Sequence, residues 1–153
     1  MSGGLAERLR GLSRIHLDTN VLIYYLQDEP PYGALVRPVF ERIASGSLSG
    51  MTSFITLLEI LVKPLRDGRA DLVRQYADVL LNAQHLMLQP VERTIAETGA
   101  EIRAKYNVRT PDAIQLATAV RGGAQAFLTN DRRLAQVRNP EVVVLDDYVE
   151  PAR

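Results

Sequence analysis

Short apolar runs along the chain alternate with longer stretches in which apolar residues recur every three or four positions, a pattern that predicts strands interleaved with helices. Residues 14–18 read as a short strand ending in an acid, and 21–26 as a helix begun directly after it. Asp28-Glu29-Pro30-Pro31 breaks that helix, and Leu35, Val36, Val39, Phe40 and Ile43 share one face of the next, over about 33–44. Residues 48–51 form a strand, Thr52-Ser53 a cap, and 54–62 a helix closed by Pro64 and Gly68. Leu72, Val73, Tyr76, Val79 and Leu80 define an amphipathic helix over 71–83. A strand at 86–91, a helix at 92–106 and a helix at 110–121 follow; Thr110-Pro111 opens the last of these and Gly122-Gly123 ends it. A strand at 124–129, a short helix at 131–137 and a strand at 141–145 complete the pattern. Residues 1–13 read as an N-terminal extension, flexible or helical, 14–148 as the domain, and 149–153 as a C-terminal tail.

Strands that alternate with helices argue for an α/β sandwich on a mainly parallel sheet, whose sites lie at the carboxyl ends of the strands. Composition narrows the chemistry. The 153 residues contain no cysteine, which excludes thiolate zinc sites, disulfides and thiol nucleophiles. His16 and His85 have no ligand-like spacing. No apolar run approaches the ~20 residues that span a bilayer, and residues 1–14 lack the apolar core of a signal peptide, so cytoplasmic residence and no membrane partner are expected. Lys plus Arg balance Asp plus Glu at 18 each, so any nucleic-acid contact must come from a local basic rim.

Four acids stand out. Asp18 follows a strand, where it also suits a helix N-cap. Glu59 is the one ionisable residue between Met51 and Val62, and helical spacing sets it on an apolar face. A buried salt bridge or a shared metal would each offset the cost of burying it there, and the sequence leaves both open. Asp112 falls in the first turn of a helix, where an acid complements the dipole. Asp131 lies just beyond a strand, where a first-turn helix acid is common. In a parallel sheet, strand ends and helix starts meet along one edge. Four carboxylates gathered there would repel one another, and a hard divalent cation with a preference for oxygen ligands relieves that repulsion.

Asp18-Thr19-Asn20, Glu59 in its apolar helix, Thr110-Pro111-Asp112-Ala113 and Leu128-Thr129-Asn130-Asp131, in that order and at these separations, resemble the PIN-domain nucleases, and more narrowly the VapC-type toxins of bacterial toxin–antitoxin pairs. The resemblance covers roughly residues 14–146. It implies a three-layer α/β/α sandwich and Mg²⁺- or Mn²⁺-dependent cleavage of single-stranded or structured RNA. It places Asp18, Glu59 and Asp112 on the family's main acids and Asp131 on the fourth. Thr19 and Asn20 fill the polar positions after the first acid, Thr129 the hydroxyl position before the last, and Ser53 a similar supporting one. An antitoxin in a groove beside the early helices and a homodimer are implied too, with Tyr24, Tyr25, Leu26, Val36, Val39 and Phe40 as candidate apolar surface; each serves equally as core.

The expected chemistry is hydrolysis by a metal-activated water, with Asp18, Asp112 and Asp131 as ligands and Glu59 as a further ligand or proton acceptor. It would leave 5′-phosphate and 3′-hydroxyl ends. Arg109 and Arg132 are the candidate phosphate contacts. Two other readings compete. A haloacid-dehalogenase-type phosphohydrolase wants a second Asp two positions after Asp18, where Asn20 stands. A PIN fold serving RNA processing, or a catalytically silent binding module, would keep the fold without the toxin role.

Overall fold

A computed structural model describes residues 4–150. Five parallel strands form one sheet: β1 (Arg14–Leu17), β2 (Ser49–Ser53), β3 (Leu86–Gln89), β4 (Ala126–Thr129) and β5 (Val142–Val144), in the order β3-β2-β1-β4-β5. Ile15 pairs with Gly50 on one side and Ala126 on the other, which puts β1 at the centre. Among the described residues α1 (Leu5–Arg8) precedes the sheet, and α2 (Thr19–Gln27), α3 (Tyr32–Ser45), α4 (Phe54–Arg66), α5 (Ala70–Asn82), α6 (Arg93–Tyr106) and α7 (Thr110–Arg121) lie between strands. The sheet is all-parallel rather than mainly parallel. Parallel neighbours need crossover connections, supplied by helix pairs from β1 to β4 and by a segment with a 3₁₀ turn from β4 to β5.

The two-residue side-chain period of the strands builds two cores. Ile15 and Leu17 of β1 and Ala126 and Leu128 of β4 join Val21, Leu22, Val36, Val39, Phe40, Ile43 and Leu80 on one face of the sheet. Phe127 points to the other face and packs with Ile95 and Ile102 of α6 and Leu116, Ala117 and Ala119 of α7. Burial on both faces is what a central parallel strand requires, and it yields the three layers α/β/α.

Local differences from the sequence reading have identifiable causes. Pro64 lies inside α4 instead of closing it. Near a helix end the missing proline N–H costs one ladder bond, to the Ile60 carbonyl, while the buried ring packs inward. Thr52 and Ser53 belong to β2, and Ser53 then caps α4 by accepting from the Ile55 N–H at 3.1 Å. Residues 132–136 form a 3₁₀ turn, not an α-helical one. Val36, Val39 and Phe40 are core and not surface, whereas Tyr24, Tyr25 and Leu26 are half-buried. Of the N-terminal extension, residues 1–3 lie outside the described part, as do 151–153 of the tail. The rest of that extension is an α1 turn whose Leu5 and Leu9 are buried in the first core. Arg8 reaches Glu141 at 2.6 Å, and Arg42 donates to the Leu9 and Leu12 carbonyls.

Leu9→Ala should therefore cost about 2–5 kcal/mol, the usual range for emptying a core leucine site. Urea unfolding monitored by circular dichroism measures it; a loss below about 0.5 kcal/mol, the scale of an ordinary surface substitution, would show that the segment before β1 carries no core.

Candidate active site

β1 and β4 are neighbours, so the residues that follow them emerge side by side at the carboxyl edge of the sheet. Asp18 leaves β1 at Leu17 and caps α2, its Oδ1 accepting from the Thr19 N–H at 2.9 Å. Its Oδ2 accepts a 2.7 Å bond from the Thr129 hydroxyl at the end of β4 and a longer one from Asn20. Only 6% of Asp18 is exposed. Burial pushes its carboxyl up to about 6; the Thr129 and Thr19 bonds oppose that rise, and the charges of Asp112 and Glu59 add to it.

Each supporting residue has a definite partner. Asn20 donates to Thr129 at 3.3 Å and accepts from the Asn130 N–H at 3.1 Å, so it staples the start of α2 to the loop after β4. Thr129 accepts from the Asp131 N–H at 3.0 Å while it donates to Asp18, so one hydroxyl orders two acids. Thr19 donates to the Glu59 carboxylate at 2.8 Å across the gap between α2 and α4. Ser53 is fully buried in its capping role and acts on the site through the position of α4.

Glu59 departs from expectation. It is exposed and not buried on an apolar face. The buried side of α4 carries Thr56, Ile60 and Pro64, whereas Phe54, Leu58, Val62 and Leu65 form a stripe open to solvent. Helical periodicity located the stripe; it did not say which side of the helix the sheet would cover.

Asp112 and Asp131 are each held by an arginine. Arg109 Nε donates to Asp112 Oδ2 at 3.1 Å. Arg133 grips Asp131 with Nε on Oδ1 at 3.0 Å and Nη2 on Oδ2 at 2.6 Å, and its backbone N–H adds a third bond. That grip holds the Asp131 carboxyl below the usual carboxylate range. Arg132 turns away and pairs with Asp147 at 2.7 Å. Arg133, its chain neighbour, is the one that reaches Asp131. A residue number cannot separate the two; the tight turn after Asp131 does.

Sequence reasoning also missed a buried polar chain behind the acids. Gln115 donates to Thr56 at 2.8 Å and Thr19 at 3.3 Å, and its oxygen takes the His16 Nε2 proton at 2.7 Å. Thr56 in turn bonds Thr52 at 2.6 Å. Gln115 stands one helical turn after Asp112 among Ala, Ile and Leu, and a polar residue in such a run is a readable signal. His16 stacks on Phe127 and is pushed down to about 4 by burial, so it stays neutral.

The donor set is purely carboxylate oxygen, which suits Mg²⁺ or Mn²⁺. Among the described residues, no three acidic or histidine side chains stand close enough to hold one ion together. Mg²⁺ does not require three, since it keeps several waters and binds through one or two carboxylates plus substrate phosphate. A cavity of about 230 Å³ beside Asp112 is lined by Arg109, Asp112 and Arg133 and by Val108, Leu134 and Gln136.

An all-parallel α/β/α domain with acids gathered at the carboxyl edge of its central strands defines a class of site built around anionic oxygen. The family model for the PIN domain matches residues 15–140, and the chain belongs to the PIN domain family. Compared with curated proteins, the chain finds no match. Solved structures share its fold. The VapBC2 complex from Rickettsia felis bound to promoter DNA aligns with TM-score 0.66 at 14% identity, over 86% of this chain and 98% of that one. DNA-bound VapBC from Salmonella typhimurium aligns with TM-score 0.64 at 19% identity, over 88% and 99%. A toxin–antitoxin complex from Klebsiella pneumoniae gives 0.63 at 23% identity, over 86% and 97%.

The raised Asp18 carboxyl has a stability consequence. The folded protein keeps this proton up to about pH 6, whereas the unfolded chain releases it near 3.8, so metal-free stability falls as pH rises through that window. Asp18→Asn removes the burden. At pH 7.5 without metal it should raise stability, by roughly 3 kcal/mol at most, and near pH 3.5 the gain should vanish. Thermal melts of both proteins across pH check this; a gain that is independent of pH would contradict it.

Proposed function

We propose that this protein is a metal-dependent endoribonuclease and the toxin of a toxin–antitoxin pair. The observation that carries the nuclease reading is Asp18: a carboxylate kept in a buried pocket by Thr129 and Thr19, facing the charges of Asp112 and Glu59. A lone buried acid of this kind is costly, and a cation offsets the cost.

In this reading Asp18 and Asp112 hold Mg²⁺ or Mn²⁺, with Asp131 as a further ligand once it is freed from Arg133. The ion, when bound, supplies a water of lowered pKa and neutralises charge on the phosphate. Glu59 is exposed and anchored through one oxygen to Thr19, so its other oxygen is available to ligate or to take a proton from the attacking water. Thr129, Thr19 and Asn20 hold the acids in place. The exposed Arg109 contacts the RNA backbone, whereas Arg132, paired with Asp147, is left out of that role. Attack by water rather than by the 2′-hydroxyl leaves 5′-phosphate and 3′-hydroxyl ends.

Two apolar features support the partner assignments. A cavity of about 290 Å³ opens between α2, α3, α5 and β3, lined by Leu22, Tyr25, Phe40, Ile43, Val79 and Leu86, and it suits an apolar antitoxin segment. The stripe of Phe54, Leu58, Val62 and Leu65 along α4 suits a second copy of the chain. The described residues include no helix long and apolar enough to cross a membrane. We place the protein in the cytoplasm with its RNA.

The purified protein should cut single-stranded RNA with Mn²⁺ and leave 5′-phosphate ends. EDTA should abolish the cutting, and Asp18→Asn should lower it by at least about 10²-fold, the scale of losing a positioned catalytic group. Cleavage undiminished in EDTA, or cyclic-phosphate ends, would refute the proposal. Mn²⁺ binding without any cleavage would favour a silent binding module.

A further inference from the structure

Arg133 shares the acid cluster with Arg109, but it alone of the two grips its acid at both oxygens. Arg69 and Arg132 each pair with an acid away from the site, whereas Arg133 closes both oxygens of Asp131 at the edge of the acid cluster. Asp131 is largely covered, with its side chain 19% exposed, while the Arg133 side chain is 67% exposed. The guanidinium therefore approaches from solvent and its removal opens the carboxylate without unpacking the core. It also lines the 230 Å³ cavity that holds Arg109 and Asp112.

Two guanidinium bonds and a backbone N–H occupy most of the acceptor positions of Asp131, and a cation at what remains would sit beside a like charge. An ion that uses Asp131 therefore competes with the guanidinium, whose positive charge also stands close enough to Asp112 to be felt there. Once displaced, the same planar fork finds its next best partner in a phosphate, which accepts the same two-pronged pattern. The cavity in front of it gives such a phosphate room.

We propose that Arg133 is an exchangeable counter-ion of the site: it holds Asp131 against a divalent cation, and transfers to an RNA backbone phosphate when the cation takes that carboxylate. This rests on the metal-dependent nuclease reading above. The residue is then a brake on metal loading in the absence of RNA and a binding residue in its presence. Loading and RNA binding are coupled through one side chain, and such coupling is reciprocal.

The test is Mn²⁺ binding by calorimetry to the full chain, without RNA, for wild type, Arg133→Gln and, as a control of equal charge change, Arg132→Gln. Both arginines are exposed, so neither change endangers folding. Arg133→Gln should bind Mn²⁺ about three- to fivefold more tightly, the effect of removing one exposed ion pair, and Arg132→Gln by clearly less. With Mn²⁺ saturating, Arg133→Gln should raise KM for a single-stranded RNA about fivefold, the loss of one charged phosphate contact, and change kcat less. Arg133→Lys, a point charge without the fork, should fall between the two in both measurements. Equal Mn²⁺ affinity in wild type and Arg133→Gln, an equal gain from Arg132→Gln, or an unchanged KM would each overturn the proposal. Absence of Mn²⁺ binding in all the proteins would fail the nuclease reading itself, a result distinct from equal binding.

Discussion

The hydrogen bond from the Thr129 hydroxyl to Asp18 is the contact on which the site depends. It joins the ends of the two strands at the middle of the sheet, and it does so at 2.7 Å inside the protein. Thr129 can reach Asp18 only because β1 and β4 are parallel and in register, with Leu17 opposite Leu128. An antiparallel pairing would send one of these residues to the far edge of the molecule. The same hydroxyl accepts from the Asp131 N–H, so the geometry of the first acid and of the last is set by one oxygen. Asn20 repeats the connection a residue further out, from α2 to the loop after β4. Sheet topology thus acts on chemistry through a single polar atom, not through general proximity.

Charge at this edge is arranged with economy. Asp18 lies deepest and is held by neutral donors, which leaves its burial uncompensated and its proton affinity high. Asp112 and Asp131 lie further out, and each has an arginine. Glu59 is outermost and rests on a threonine hydroxyl. The acids therefore form a gradient, from a buried carboxyl with no cation, through largely covered ones paired with arginine, to an exposed one on a hydroxyl. Such a gradient is unlike a structural salt-bridge network, in which the most buried charge would be the one most firmly paired.

Much of this was legible in the sequence, and the limits have physical causes. The strands around Asp18 and Asp131 stand out because a buried parallel strand is a short apolar run with an abrupt polar end. The start of α7 is legible because Thr110-Pro111 meets the needs of a first helical turn. Glu59 was legible as an anomaly but was assigned the wrong exposure. The spacing of apolar residues gives the width of a stripe, and both sides of α4 carry one. The core beneath α1 was not legible, since a four-residue helix is too short to show periodicity. Arg133 and Arg132 are equivalent as letters. They separate only when the 3₁₀ turn rotates one toward Asp131 and the other toward Asp147.

The stacked His16 has a consequence for assembly of the sheet. Its Nε2–H donates to Gln115, and its Nδ1 is a buried lone pair without a partner among the described residues. The stack on Phe127 covers a face of the ring, while the Gln115 bond fixes its edge. A slide of β1 by one residue would turn the imidazole into the aliphatic layer and bring Ile15 or Leu17 against the glutamine amide. Central strands of near-uniform aliphatic composition lack any such key. Here one heterocycle locks the alignment, and with it the position at which Asp18 leaves the sheet.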